Sequence, residues 1–370
     1  MDVQFAANDL VGKTISGWKV IEKLPKPDPL KHETGGTFSI CYIVEKDGEH
    51  CFMKVLDYEK SMKGLLPLGW TRATMIQSAT EEFNYEKKLS EYCRNKHVSN
   101  VVNYLDSGEI DLPGYFIGTV SFIIYEKARG DIRKVLDFSR KIDMAAKLKT
   151  LSTRLESLHD AAVGVSQLHN NSVSHQDLKP SNIMVFNKGS KIGDLGRSLC
   201  LSPDVKCPFI LDSFNGDWTY APPEAFFGYL LPDVKLRLYQ MDNYMLGGLV
   251  FFYITGVSIN ARLNAHLTIP IREMKVQGMH FEEALVDLQN AFHEVLIEFK
   301  QEDLLIDEIK EGLVRIVSYL CNPDPNKRGH PKTSSSLEIS SKYSLERTIQ
   351  ELDVLQKKAE IAISRKKWLG

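Results

Sequence analysis

The chain has 370 residues, with 46 lysines and arginines against 48 aspartates and glutamates, for a formal charge of −2. That length holds one large or two ordinary domains with sizeable cores, and 43% hydrophobic with 25% charged residues excludes a mainly disordered chain. With no basic surplus to neutralise phosphates, no nucleic-acid partner is expected.

The six cysteines, Cys41, Cys51, Cys93, Cys200, Cys207 and Cys321, lack the close spacing of thiolate metal sites. They read as free thiols in a reducing compartment, so a cytoplasmic location is expected. Residues 1–9 have no basic segment followed by an apolar one, which predicts no secretory signal. The longest apolar run, Met245 to Ile259, is 15 residues with three glycines. It predicts a buried helix and no membrane span.

In chain order, residues 15–56 read as short strands at Lys19–Ile21, Ser39–Val44 and Cys51–Leu56, broken around Gly35-Gly36 and Asp47-Gly48. Residues 57–78, including Gly64–Trp70, follow no clean period and read as an insertion. A helix is predicted over Glu81–Cys93, with Phe83, Leu89 and Cys93 on one face, then strands around Val101 and Ile117–Tyr125. After Gly130 the pattern becomes helical, with Leu158, Ala162, Val165 and Leu168 leading into Val173. A loop-rich stretch, a buried helix at 242–256 and amphipathic helices over 281–321 follow. A polar Thr333–Ser336 linker precedes a last helix striped by Leu345, Ile349, Leu352, Leu355 and Ala359. That stripe suits packing on the helical part, with a partner at this helix as the alternative. The expectation is an α+β chain: a small β-rich lobe at 15–126, a larger mainly helical lobe at 127–332, a tail at 333–370, and a ligand cleft between the lobes.

The densest group of chemistry-bearing residues is His175-Gln-Asp-Leu-Lys-Pro-Ser-Asn182, with Asp194-Leu-Gly196 twelve residues beyond Asn182. Moving a phosphoryl group from a nucleotide requires an acceptor for the hydroxyl proton, a cation on the phosphoryl oxygens, and oxygen ligands for magnesium. Asp177, Lys179, Asn182 and Asp194 are of these kinds. A lone aspartate in a loop is usually a turn or cap residue; the spacing of the four favours chemistry.

These residues resemble the catalytic H-R-D-x-x-x-x-N and metal-binding D-F-G motifs of the eukaryotic-like protein kinase family. The resemblance implies Asp177 as catalytic base, Lys179 as phosphate stabiliser of the serine/threonine type, and Asn182 and Asp194 as magnesium ligands. Lys54 resembles the V-A-I-K lysine that holds the α- and β-phosphates of ATP, with Glu86 as its ion-pair partner and Glu82 as the rival. Gly35, Gly36, Ser39 and Cys41 resemble the glycine-rich loop, and Phe122–Ala128 resembles the segment that presents backbone groups to adenine. Glu126, Ala128 and Met184 are implied as further ATP contacts. Tyr220–Glu224 resembles A-P-E, with Arg328 as the buried partner of Glu224, and Asp242–Gly247 resembles the opening of the central helix. The likeness runs from about 15 to 332 and implies a two-lobed serine/threonine kinase that uses ATP and Mg2+ on a protein substrate.

Several positions depart from the pattern. Thr34 and Ser39 replace glycines, and Phe52 takes the place of an alanine two before Lys54, where a ring would crowd adenine. Gln176 replaces the arginine that in many relatives binds an activation-segment phosphate, a non-RD loop, so activity is expected not to require phosphorylation at Ser198, Ser202, Ser213 or Thr219. Asp217 stands where threonine is frequent. These departures favour, as a second reading, a pseudokinase or interaction protein; a small-molecule kinase of the aminoglycoside phosphotransferase type is a third.

Overall fold

The structure is a computed structural model that describes residues 5–25, 39–138, 143–334 and 342–369. It separates into two compact units, Met1–Arg129 with Pro203–Pro208, and Gly130–Ser202 with Phe209–Gly370. Gly35 and Gly36, with Thr34, lie outside the described residues.

The first unit contains β1 (Thr14–Ile15), β2 (Trp18–Lys23), β3 (Ser39–Lys46), β4 (Glu49–Leu56), α1 (Tyr58–Lys63), α2 (Arg72–Asn95), β5 (Tyr104–Asp111) and β6 (Thr119–Glu126). The strands form one sheet in the order β1-β2-β3-β4-β6-β5. Every neighbouring pair is antiparallel. Alternation along β4 decides which residues face which side. Cys51, Met53 and Val55 enter a core with Ile15, Val20, Tyr42 and Phe122, covered by Ala6, Ala7 and Leu10. The Tyr42 hydroxyl donates to Ala7 O at 2.7 Å and fixes that N-terminal cover. On the other face, Leu56 and Ile123 pack with Ala79 and Phe83 of α2.

Two features differ from the periodicity reading. Residues 57–78 hold α1, capped by Asp57 accepting from Lys60 N at 3.0 Å, and the first turns of α2, capped by Thr71 accepting from Thr74 N at 3.1 Å. The caps start these helices where the apolar stripe is still sparse. The strand expected around Val101 begins instead at Tyr104, because β5 (Tyr-Leu-Asp-Ser-Gly-Glu-Ile-Asp) is a polar sheet edge with no apolar run.

The second unit contains β7 (Gly130–Asp131), α3 (Ile132–Val135), α4 (Met144–Asn170), β8 (Val173–Ser174), β9 (Ile183–Val185), β10 (Ser190–Ile192), β11 (Leu199–Cys200), α5 (Pro223–Phe227), α6 (Val234–Thr255), α7 (Ile259–His266), α8 (Ile271–Val276), α9 (Phe281–Lys300), α10 (Asp307–Leu320), α11 (Pro331–Ser334) and α12 (Glu346–Leu369). Its β-structure is two short antiparallel sheets, β10-β9-β7 and β11-β8. Helix α6 is buried on every side from Arg237 to Ile254, which explains why its sequence shows no polar stripe. The Glu224 carboxylate and the Arg328 guanidinium form a fully buried two-point pair at 2.7 and 2.9 Å. Arg328 donates further to Asn322 O and to Gln240 Oε1, so its buried charge is well satisfied.

The C-terminal stripe is inside this unit. Leu345, Leu352, Leu355 and Ala359 are buried, and Ile349 is partly so, on a helix packed against α4 and α10. Gly312 on α10 permits the contact, since a Cβ there would sit 2.5 Å from a Leu355 methyl. Among the described residues no single helix is long and apolar enough to cross a membrane.

Candidate active site

In the first unit, the alternation that buries Met53 sends Phe52 and Lys54 to the opposite face of β4. Lys54 Nζ meets both carboxylate oxygens of Glu86 on α2, at 2.7 and 2.8 Å. The two side chains are 12% and 6% exposed, so each ion needs the other to offset its lost hydration. Tyr125 donates to Glu86 Oε1 at 3.2 Å and shares a 2.9 Å hydrogen bond with Ser90 Oγ, one helical turn beyond Glu86. Glu82, the rival partner, instead accepts from Ser78 Oγ at 3.1 Å.

The other residues expected around ATP in this unit occupy defined places. Cys41 is the cross-strand partner of Lys54, and Ser39 opens β3 opposite Leu56. Phe52 is partly exposed and pairs across the strands with Ile43 and Tyr125. Glu126 exchanges hydrogen bonds with Asn103, accepting from its N at 2.6 Å and donating its own backbone N to Asn103 O at 3.0 Å. Ala128 follows the end of β6 and is partly buried.

In the second unit, the loop His175–Asn182 is pinned from below by Asp242 of α6. The Asp242 carboxylate accepts from the backbone N of His175 and of Gln176 and from Ser174 Oγ, each at 2.8 Å, and meets His169 Nε2 at 2.9 Å. Burial pushes this carboxyl up, but the His169 hydrogen bond and charge outweigh it and hold Asp242 below the usual aspartate range. Gln176 takes a left-handed backbone, φ +62°. It turns its amide inward to Ser174 Oγ at 2.7 Å and Leu238 O at 3.1 Å.

Asp177 then projects into a ring of donors. Asn182 Nδ2 donates to its Oδ2 at 3.1 Å and to its backbone O at 2.8 Å. Lys179 Nζ lies 2.9 Å from Oδ2, and the backbone N of Asp217 donates to Oδ1 at 2.8 Å. Burial raises the Asp177 pKa, and Asp194 adds to the rise while Lys179 opposes it. The result is a fixed carboxylate with a stronger hold on a proton than a free aspartate has.

The eleven residues of sequence between Asn182 and Asp194 are closed by the β9–β10 hairpin. Ile183 pairs with Ile192, and Gly193 N donates to Asn182 O at 2.8 Å. His175 Nε2 reaches Gly193 O at 3.0 Å, tying the loop to the same hairpin. Met184, partly buried on β9, pairs with Asp131 and Lys191. Asp194 is exposed with a left-handed backbone, φ +57°, a conformation that aspartate tolerates better than most side chains. An amide oxygen at Asn182 and a carboxylate at Asp194 are hard donors of the kind magnesium takes, one or two from protein and the rest from water and phosphate. Among the described residues there is no group of three His, Cys, Asp or Glu that would make a dedicated metal cage. By donor chemistry the pair Asn182 and Asp194 fits magnesium.

Sequence reasoning assigned no side-chain or backbone contact at the site to Tyr125, Ser90, Gly216 or Asp217. Tyr125 and Ser90 orient Glu86; the spacing of Ser90 four residues after Glu86 on α2 was an available signal. Asp217 carries its backbone N onto Asp177 and its carboxylate to 3.4 Å from Lys179. Gly216 lets it do so, since a Cβ there would lie 2.0 Å from Gln176 O. Nothing in local pattern signals that contact, because it joins segments forty residues apart.

Residues 35–337 match the protein kinase domain family, and the chain belongs to that family. Its architecture, a β-rich N-terminal unit and a helical C-terminal one, is the α+β protein kinase fold. Among curated proteins it is 33% identical over 127 residues to inhibitor of nuclear factor kappa-B kinase subunit alpha of Gallus gallus, covering 34% of this chain and 15% of that one. It is 26% identical over 167 residues to the probable serine/threonine-protein kinase irlC of Dictyostelium discoideum, covering 44% and 11%. It is 25% identical over 177 residues to the serine/threonine-protein kinase/endoribonuclease IRE1 of Oryza sativa subsp. japonica, covering 47% and 16%. The matched region is thus a small part of each relative.

Proposed function

We propose that the chain is a serine/threonine protein kinase that transfers the γ-phosphate of ATP to a protein hydroxyl. The observation that carries this reading is the Asp177 carboxylate held between Lys179 at 2.9 Å, Asn182 at 3.1 Å and the Asp217 amide at 2.8 Å. As the acceptor oxygen bonds to phosphorus and ADP departs, the hydroxyl proton passes to Asp177. Lys179 balances the charge spread over the phosphoryl oxygens. Lys54, steadied by Glu86, is assigned to the α- and β-phosphates. Asn182 and Asp194 would hold magnesium, which supplies further charge neutralisation on the phosphates. Serine/threonine specificity rests on Lys179 and on the names of the relatives. The catalytic loop is read as one without arginine before the aspartate, on Gln176. A cytoplasmic location is proposed on cysteine usage, none of the six being in a disulfide.

Incubation with γ-labelled ATP, magnesium and dephosphorylated casein, followed by acid hydrolysis, tests the reading. Label on serine or threonine is expected. Label on tyrosine overturns the specificity. No label from a folded chain would favour the interaction-protein reading, to which Phe52 beside Lys54 points.

A further inference from the structure

The arginine that is missing at position 176 has a counterpart elsewhere in the second unit. Arg237, in the first turn of α6, is 4% exposed, and it extends toward the segment that precedes Asp217. Its Nη2 donates to Leu211 O at 3.0 Å and to Asp212 Oδ1 at 2.9 Å, and its Nη1 donates to Leu231 O at 3.2 Å. Its Nε is buried with no partner. A guanidinium this deeply buried is costly without an anion, and the Asp212 carboxylate is the anion it finds. Gln176 cannot share the task. Its amide is spent on Ser174 and Leu238, and its Oε1 is buried without a partner.

The stretch that follows Asp212 is the one that reaches Asp177. Gly216 lies against Gln176 O, and the Asp217 N donates to Asp177 Oδ1. Phe214 stacks edge-on to Trp218 at 5.2 Å, and Trp218 to Phe226 of α5 at 5.1 Å. Ring contacts hold this stretch at one end. At the other, the only ionic anchor among the described residues 209–218 besides the Asp217 pair with Lys179 is Arg237 with Asp212.

We propose that Arg237 is a positioning residue for phosphoryl transfer, clamping residues 211–217 through Asp212, a built-in carboxylate that does the work of an added phosphate. The segment that presents Asp217 to Asp177 is then ordered in the unmodified chain. Regulation by phosphorylation of this segment is unnecessary for activity, and neutralising Asp212 releases it. This rests on the kinase reading above for its catalytic consequence, but not for the clamp itself.

The test compares the phosphatase-treated full chain with its Asp212→Asn, Asp212→Glu and Arg237→Lys variants, by amide hydrogen exchange and by initial rates with ATP and dephosphorylated casein. Asp212 is 74% exposed at its side chain, so Asp212→Asn opens no cavity, and urea unfolding of each variant checks that the fold survives the loss of the anion facing Arg237. Expected are full protection and activity in the phosphatase-treated wild type. Asp212→Asn and Arg237→Lys should exchange roughly tenfold faster over 211–217 and need roughly tenfold more casein for half-maximal rate. The requirement for ATP should stay unchanged, and Asp212→Glu should recover much of both losses. Equal exchange and equal casein requirement in Asp212→Asn and wild type overturn the clamp, as does loss of wild-type protection on phosphatase treatment. If wild type transfers no phosphate to casein, the kinase reading fails while the exchange comparison still decides the clamp.

Discussion

At the scale of single residues, two buried aspartates have opposite electrostatics. Asp242 is hydrogen-bonded to the backbone of His175 and Gln176, to Ser174, to His169 and to the Gln176 amide, and is held below the ordinary range. Asp177 is held above its usual value of 3.8 by burial and by Asp194, against the pull of Lys179. A base works only when deprotonated, and a raised pKa keeps the proton on to higher pH. The acid limb of kcat/KM is therefore expected above 3.8, and Lys179→Ala should move it higher still, because the opposing cation is gone. A pH–rate profile checks this; a limb at or below the free-aspartate value, or a downward shift in Lys179→Ala, would contradict it. The grouping of Asp177, Lys179 and Asn182 was legible in the sequence because they lie within six residues of one another, and the structure brings their side chains into contact. The reach of Asp217 and the inward turn of Gln176 were not, since both depend on backbone conformation and on partners distant in the chain.

At the scale of elements, long amphipathic segments were legible and short or polar ones were not. Helices α9 and α10 carry clear stripes over residues 281–320. The edge strand β5 and the cap-initiated helix α1 lack any apolar period and were invisible to it. The stripe of α12 and its packing on the helical part were legible, but not the elements it meets, because a stripe shows only that a face is buried. In the structure Leu355 sits against Gly312 of α10, beyond the region that matches the kinase domain. Leu355→Ala opens a cavity in a 4%-exposed site and should cost about 2–5 kcal/mol in urea unfolding of the full chain. A change within about 0.5 kcal/mol would show that the helix adds nothing to the unit.

At the scale of the molecule, each unit holds its chemical groups by buried polar contacts; the pairs Lys54–Glu86 and Glu224–Arg328 were legible through the family resemblance, whereas the partners of Asp242 were not. Glu224 and Arg328 are 104 residues apart, and Asp242 fastens the His175–Asn182 loop some 66 residues earlier in the chain. The Asp242 contacts hold the loop that carries the Asp177 carboxylate, and what that carboxylate does is the central question. The direct measurement is the rate of label transfer from γ-labelled ATP to casein by Asp177→Asn, with urea unfolding as the check on its fold. Asparagine keeps the shape but cannot take the hydroxyl proton, so the account predicts a loss of about a hundredfold or more with stability retained. A wild-type rate from the folded variant would contradict it.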